Sequence, residues 1–405
     1  MRPNRAALGR PASAGQSQVG PSGHHFFAQM KSFPAALVVL RGTAVVGASK
    51  DPAADKVNTR LPSESAAGAD HQIAMLLQPA LRDGRRYLNP VPTKVGGLSI
   101  MFKVGPQFFL GAKARSPRGS LGPFHTDAAI YTREPRSGLR ITWMGHATSL
   151  IEIDGVRILI DPVWDERAAP TSWTGPKRFF PAPLELSDLP TIDAVIVSHD
   201  HYDHLGAGTI RAMAHLAAVE RARWITPLGV GALLKQLGVP ASHLLELNWM
   251  DSTQVGPVRV TALPARHFSG RSLFNRFETL WASFTLAGPR HHVYYGADSG
   301  EWAGFNEIGE RFGRFDLAML EIGASNPLWA DIHMGPEGAL RSFRALGGHG
   351  LFMPIHWGLF DLALHHWRQP IEKIWPIEGL KLWSPTPGVP SEVIANEELR
   401  SEWWR

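Results

Sequence analysis

From about Leu139 onward, apolar positions come in short runs separated by Gly, Pro, Asn or Asp, the spacing of buried strands rather than of long helices. Leu139–Trp143 and Ser149–Ile153 read as strands. Asp154-Gly155 is a two-residue hairpin turn, and Val156–Ile160 returns antiparallel, rich in β-branched residues. Thr191–Val197 is an apolar strand that runs straight into Ser198-His199. Thr209–Val219 has helical spacing, and Trp224–Thr226 followed by Gly229–Leu237 repeats the strand-then-helix order. Val258–Leu263, Trp281–Leu286, His292–Tyr295 and Phe315–Leu320 are further strands. Pro336–Leu346 is a helix, and Leu351–Ile355 is a last strand ending at His356. Hairpins come first and strands then alternate with helices, which predicts an α/β fold of sheets packed on each other with helices outside.

The rest of the chain behaves differently. Residues 1–70 mix Gly, Ser, Pro and Ala without a sustained period and read as a disordered or poorly packed extension. Residues 71–138, where Pro and Gly recur as in Leu88-Asn89-Pro90-Val91-Pro92, read as an extended arm lying on a domain that spans 139–378. Residues 379–405 read as a C-terminal tail. No stretch reaches the 18 or so apolar residues of a spanning helix. Phe33–Ala48, after Lys31 and broken by Arg41, is the nearest approach to a secretion signal but lacks a clear cleavage site. A cytoplasmic protein is therefore expected, with export as the alternative.

Charge sharpens this division. Residues 1–120 carry 16 Lys and Arg against 5 Asp and Glu, and the remainder 25 against 31, so the net +5 conceals a basic front and a mildly acidic body. The basic residues are scattered and no aromatic stacking pattern accompanies them. No nucleic-acid partner is expected, and peripheral contact with an anionic membrane is the alternative use of the arm. The 405 residues include no cysteine. That excludes disulfides, thiolate metal sites and a cysteine nucleophile, and leaves any metal to histidine and carboxylate.

The chemistry concentrates in Ser198-His199-Asp200-His201-Tyr202-Asp203-His204. Alternation puts His199 and His201 on one side of an extended loop, where they can share an ion. Asp203 and His204 follow as the chain turns toward the next helix and can face a second ion. Imidazole with carboxylate suits zinc, with iron or manganese as alternatives. Among 18 histidines some clusters arise by chance, and His291-His292 and His365-His366 read as surface pairs. The quartet does not, because a strand leads into it and so many polar groups together are costly without a metal. His267, Asp298 and His356 each follow the end of a predicted strand, as the quartet does, and are the candidate remaining ligands. Glycines flanking Asp298 would permit close approach. Trp281, Trp302, Trp329 and Trp357 can line an acyl channel or belong to the core.

The intact H-x-H-x-D-H pattern resembles the metallo-β-lactamase superfamily. Thr142-Trp143-Met144-Gly145-His146, Ile160-Asp161-Pro162-Val163-Trp164, Gly175-Pro176-Lys177-Arg178-Phe179, Pro264-Ala265-Arg266-His267, Leu280-Trp281-Ala282-Ser283-Phe284, Ile322-Gly323-Ala324 and Ile355-His356-Trp357-Gly358 bring it closer to one branch. That branch is the N-acylphosphatidylethanolamine-hydrolysing phospholipase D and its bacterial relatives, and the resemblance spans about Tyr87 to Trp375. It implies a metallo-β-lactamase-like αββα four-layer sandwich and two Zn2+ ions. His199, His201 and His267 would hold one ion, and Asp203, His204 and His356 the other, with Asp298 bridging. It implies catalytic roles for Asp203, as ligand and proton acceptor, and for Asp298. His333 aligns with a histidine near the site, and a plain loop histidine is the competing reading. Asp161 and His146 match positions that shape the fold, Asp161 by bonding loop amides. Glu321 departs from the branch, which has an apolar residue or proline there.

The implied reaction is hydrolysis by a metal-bridging hydroxide, of a phospholipid phosphodiester or of another small ester, lactone or phosphodiester, as in ascorbate-phosphate lactonases. A metal-binding protein without catalysis and a basic-armed nuclease are the readings from other classes. The first would be expected to have lost a ligand, and the second to carry a nucleic-acid-binding domain.

Overall fold

A computed structural model describes residues 76–96, 106–107, 114–272 and 274–405. The extension expected over residues 1–70, with its apolar stretch Phe33–Ala48, lies outside the described residues. A small hairpin, β1 (Arg82–Asp83) and β2 (Arg86–Tyr87), precedes the domain.

Two large sheets follow. The first is built from β3 (Leu139–Gly145), β4 (Thr148–Ile153), β5 (Val156–Ile160), β6 (Ala194–Ile196), β7 (Arg223–Pro227) and β8 (Leu244–Leu247). The second is built from β9 (Ser252–Val255), β10 (Val258–Leu263), β11 (Ser283–Ala287), β12 (His292–Tyr295), β13 (Leu317–Glu321) and β14 (Leu351–Ile355). Helices α1 (Ala207–Met213) and α2 (Val230–Gln236) belong to the first half, and α3 (Gly304–Phe312), α4 (Gly335–Ala345) and α5 (Gln369–Ile374) to the second.

Period-two side chains explain the layering. Ile151, Ile153, Ile158, Ile160, Ile196 and Ile225 share one core with Val260, Phe284, Leu286 and Tyr295 of the second sheet. Their strand neighbours Leu150, Leu159, Val195 and Trp224 point the other way and pack with Ile210, Met213, Val230 and Leu234 of α1 and α2. Both faces of these strands are buried, so they read as continuous apolar runs rather than as an alternation. The second sheet carries α4 on its outer side, through contacts to β13, with α3 and α5 beside α4. The α/β sandwich of the sequence reading is the observed fold.

Several elements differ from expectation. The helix expected over Thr209–Val219 stops at Met213 and gives way to a short 3-10 turn, Ala217–Val219. The edge strands β8 and β9 and the helices α3 and α5 were not read from the pattern. Residues 379–405, expected as a tail, are integral: β16 (Ser391–Glu392) pairs with β3 at the edge of the first sheet. β15 (Trp383–Ser384) pairs with β17 (Leu399–Arg400), and Trp383 and Trp404 are buried in the central core. Apolar anchors at the end of the chain outweigh its loop-like composition. His291, expected on the surface, donates through Nδ1 to Asp154 at the hairpin turn, 2.7 Å away. Among the described residues, no helix is long and apolar enough to cross a membrane.

Candidate metal centre

Sheet topology brings distant segments to one edge. β5, β6 and β7 run parallel, so their C-terminal ends coincide, and Asp161 and the Ser198–His204 loop leave there. In the second sheet β12, β13 and β14 are parallel, and β10 shares their direction because two antiparallel steps separate it from β12. His267, Asp298, Glu321 and His356 therefore emerge from strand ends on a common side. His356 holds a left-handed backbone conformation at φ 62°, as do Asp161 at 41° and His146 at 55°. Strain of this kind, about 1–3 kcal/mol per residue, persists only where the surroundings enforce it. Gly300 allows the close approach its sequence suggested: a Cβ there would lie 2.0 Å from the Asp331 carbonyl oxygen.

The seven candidate ligands come together in two groups that meet at Asp298. In one, His201 Nδ1 lies 2.8 Å from His199 Nε2 and 3.3 Å from His267 Nε2. Asp298 Oδ2 lies 3.8 Å from His199 Nε2 and 3.6 Å from His267 Nε2. In the other, His356 Nε2 lies 3.2 Å from Asp203 Oδ2 and 3.1 Å from Asp298 Oδ2, and His204 Nε2 lies 3.1 Å from Asp298 Oδ1. His146, whose sequence suggested a packed turn residue, is a buried turn residue that also places Nε2 2.9 Å from Asp203 Oδ2.

Hydrogen bonds on the far side of the rings aim them. His204 Nδ1 donates to Asp161 Oδ2 at 2.6 Å, and His267 Nδ1 donates to the Ile332 carbonyl at 2.9 Å, so each ring in its neutral form turns Nε2 to the centre as its lone-pair nitrogen. Asp161 bonds a loop amide as expected, accepting from Ser198 N at 2.7 Å, and it also receives the hydroxyls of Ser198 and Tyr295. Its larger task, holding an imidazole, was not read from the sequence. Asn89 of the arm grips His267 from both sides, accepting from its N–H at 2.9 Å and donating to its carbonyl at 2.7 Å. Asp200, the motif's other carboxylate, faces away and ties its loop to Gly270 N and Thr279 Oγ1.

The electrostatics fit a cation. Burial and neighbouring imidazoles hold His199 and His267 well below the usual histidine pKa. Burial pulls His356 down as well, but the carboxylates of Asp298 and Asp203 outweigh it and raise the group to about 10. Burial pushes Asp298 up, yet His204 and His356 outweigh it and keep the carboxyl well below its usual range. His204 Nε2 and Asp298 Oδ1 are buried and face each other at 3.1 Å without a hydrogen bond to either. Converging imidazole nitrogens around two low-pKa carboxylates are the donor set of a divalent metal, and unsatisfied atoms of this kind are what such an ion would engage.

A cavity of about 300 Å³ opens onto the cluster. Val95, Phe268, Trp329, Ile332 and Leu362 form its apolar wall, with His201, Asp203, Asp298, His333, His356 and Arg276 as its charged or titratable lining. Of the four tryptophans weighed for a channel, Trp329 lines this cavity, while Trp281, Trp302 and Trp357 are core. His333 stands at the cavity with Nδ1 2.7 Å from Glu321 Oε2. Glu321 is wholly buried and also accepts from Ser299 N and Met334 N, so the residue that departed from the family pattern organises both Asp298's neighbour and His333. Burial raises its pKa.

Comparison with known proteins agrees with the geometry. Residues 156–357 match the Beta-lactamase superfamily domain. An uncharacterized protein of Mycobacterium tuberculosis is 45% identical over 278 residues, covering 67% of this chain and 73% of the relative. The N-acyl-phosphatidylethanolamine-hydrolyzing phospholipase D 1 of Caenorhabditis elegans is 36% identical, covering 59% of this chain and 69% of its own length. Among solved structures, an isothiocyanate hydrolase from Delia radicum gut bacteria shares the fold. Its TM-score is 0.51 at 21% identity, covering 63% of this chain and 100% of that one.

Proposed function

Because the chain belongs to the metallo-β-lactamase superfamily and is a metal-dependent hydrolase, we propose that it is a dinuclear zinc phosphodiesterase of phospholipase D type acting on N-acylphosphatidylethanolamine-like lipids. The observation that carries this reading is Asp298, whose carboxylate stands between the two groups, Oδ2 lying 3.1 Å from His356 Nε2 on one side and 3.6 Å from His267 Nε2 on the other. On this reading His199, His201 and His267 would hold one ion and Asp203, His204 and His356 the other, with Asp298 within reach of both groups. The name of the Caenorhabditis elegans relative supports the substrate class.

Zinc ions held by these residues supply Lewis acidity toward a phosphoryl oxygen and a nucleophilic water at neutral pH. The chain's own groups do the rest. Water adds at phosphorus, the ester bond to the alcohol breaks, and a phosphomonoester and an alcohol result. Asp203 Oδ2, which His146 Nε2 also addresses, accepts the proton released by the attacking water. His333, fixed through Nδ1 by Glu321, delivers a proton to the departing oxygen. Phe268, Trp329, Ile332 and Leu362 exclude bulk water and shelter an apolar chain.

One observation favours a second reading. A cavity of about 300 Å³ is at the small end for ligand sites and suits a compact soluble ester or lactone. The test sets N-acylphosphatidylethanolamine in mixed micelles against a soluble phosphodiester and a lactone, with the zinc-loaded protein. Highest kcat/KM on the phospholipid is expected, and preference for the lactone would overturn the phospholipase reading.

A further inference from the structure

Arg276 is the charged residue of the cavity wall with neither a candidate ligand role nor a proton to deliver. Its Nη1 donates to the Gly96 carbonyl at 2.6 Å, which uses one of five guanidinium N–H donors. The guanidinium carbon stands 5.1 Å from the centre of the Phe268 ring, and that ring lies 4.6 Å from the His201 ring and 5.0 Å from the His267 ring. The cation is thus one aromatic ring away from the candidate ligands. Nearby arginines are differently placed. Arg266 pairs with Asp331 at 2.9 Å, and Arg271 donates to two carbonyls while stacking on Tyr202. Arg276 has no carboxylate partner among the described residues, and burial alone perturbs it. A half-buried guanidinium without a counter-ion among the described residues, fixed on one side and lining a cavity, is suited to bind an oxyanion through its remaining donors.

We propose that Arg276 anchors a second oxyanion of the substrate, a carboxylate or phosphate group held one aromatic ring away from the scissile phosphodiester. The proposal rests on the phosphodiesterase reading and departs from its lipid, since N-acylphosphatidylethanolamine carries no oxyanion besides the scissile phosphodiester: a phosphodiester with a second acidic group is preferred over one whose far end is neutral. Cleavage itself is unchanged by it, since Arg276 binds and orients without exchanging a proton.

Three p-nitrophenyl phosphodiesters of a short alkanol test this, differing at the far end as methyl ester, carboxylate or phosphate monoester. Phosphonate counterparts, with CH2 in place of the leaving-group oxygen, measure binding by calorimetry independently of turnover. The wild-type zinc-loaded protein is expected to bind the carboxylate or phosphate form about 10–100-fold more tightly than the methyl ester. In Arg276→Gln this preference collapses toward unity, and Arg276→Lys restores part of it. Which acidic form is preferred identifies the oxyanion. No preference in the wild type, or a preference that survives in Arg276→Gln because all three weaken alike, would overturn the proposal. If the preference is present and Arg276-dependent while none of the three esters is cleaved, the anion site stands and the phosphodiesterase reading falls.

Discussion

Asp161→Asn should weaken one metal position without unfolding the protein, and the structure supplies the magnitude. Asp161 Oδ1 accepts from Ser198 N at 2.7 Å, while Oδ2 receives His204 Nδ1 and Ser198 Oγ, each at 2.6 Å, together with the Tyr295 hydroxyl. Asparagine offers one acceptor oxygen and one donor amide. If the oxygen faces Ser198 N, the amide meets three groups at the Oδ2 position. The two hydroxyls can turn and accept, but His204 Nδ1–H cannot. His204 must then move its proton to Nε2, the nitrogen that faces Asp298, and loses its capacity as a ligand. The opposite orientation sets two donors against each other at Ser198 N. A charge-assisted hydrogen bond contributes about 1.5–3 kcal/mol, which matches the ~10–100-fold loss in metal affinity usual for a residue that orients a ligand. Competition against a chromophoric chelator, with elemental analysis for stoichiometry, measures it. Loss is expected at one position while the group of His199, His201 and His267 keeps its metal. Unchanged affinity at both positions, or equal loss at both with a native unfolding midpoint, would refute the argument that Asp161 acts through His204.

Glu321 supports two further comparisons. Glu321→Ala leaves the donors Ser299 N, Met334 N and His333 Nδ1 buried without their acceptor and should cost about 3 kcal/mol or more in urea unfolding, whereas Glu321→Gln keeps an acceptor and should cost less. Glu321→Gln should still lower kcat about 10-fold with little change in KM, because His333 is less firmly aimed; equal stability of the two variants would sink this. Asp154 sets an acid limit. Burial pushes its carboxyl up, but the amides of Arg290 and His291 and the His291 imidazole outweigh that and hold the pKa below the ordinary 3.8. Its contribution is therefore fully present above about pH 3.8 and is lost as pH falls through the lower folded value. Asp154→Asn should flatten the pH dependence of the unfolding free energy in that window, and a profile parallel to wild type would count against it.

The site divides into a part written locally and a part that exists only after folding. His199 to His204 announce themselves because their spacing is set by one loop after one strand. His267, Asp298 and His356 are legible for a different reason: each follows a strand whose apolar run marks where it ends, and β10, β12 and β14 share a direction. Nothing comparable marks Asn89, which meets His267 from 178 positions away, or Arg276, whose proposed role depends on its having no carboxylate partner among the described residues. Glu321 lay between these cases. It was visible as a departure from the family pattern, and only the paths of β13 and the loop after Trp329 turn it into the partner of His333. The fold shows the same division. The doubly buried strands of the first sheet stand out by composition, whereas β8 is largely half-buried or exposed and leaves no clean alternation. Helix α3 carries Gly309 in its middle, against helix propensity, because a Cβ there would lie 2.7 Å from the Ala345 carbonyl oxygen. Close packing of α3 on α4 thus removes the local signal for α3. Where tertiary contact decides a residue, local pattern is bound to understate it, and the residues that tune this centre are of that kind.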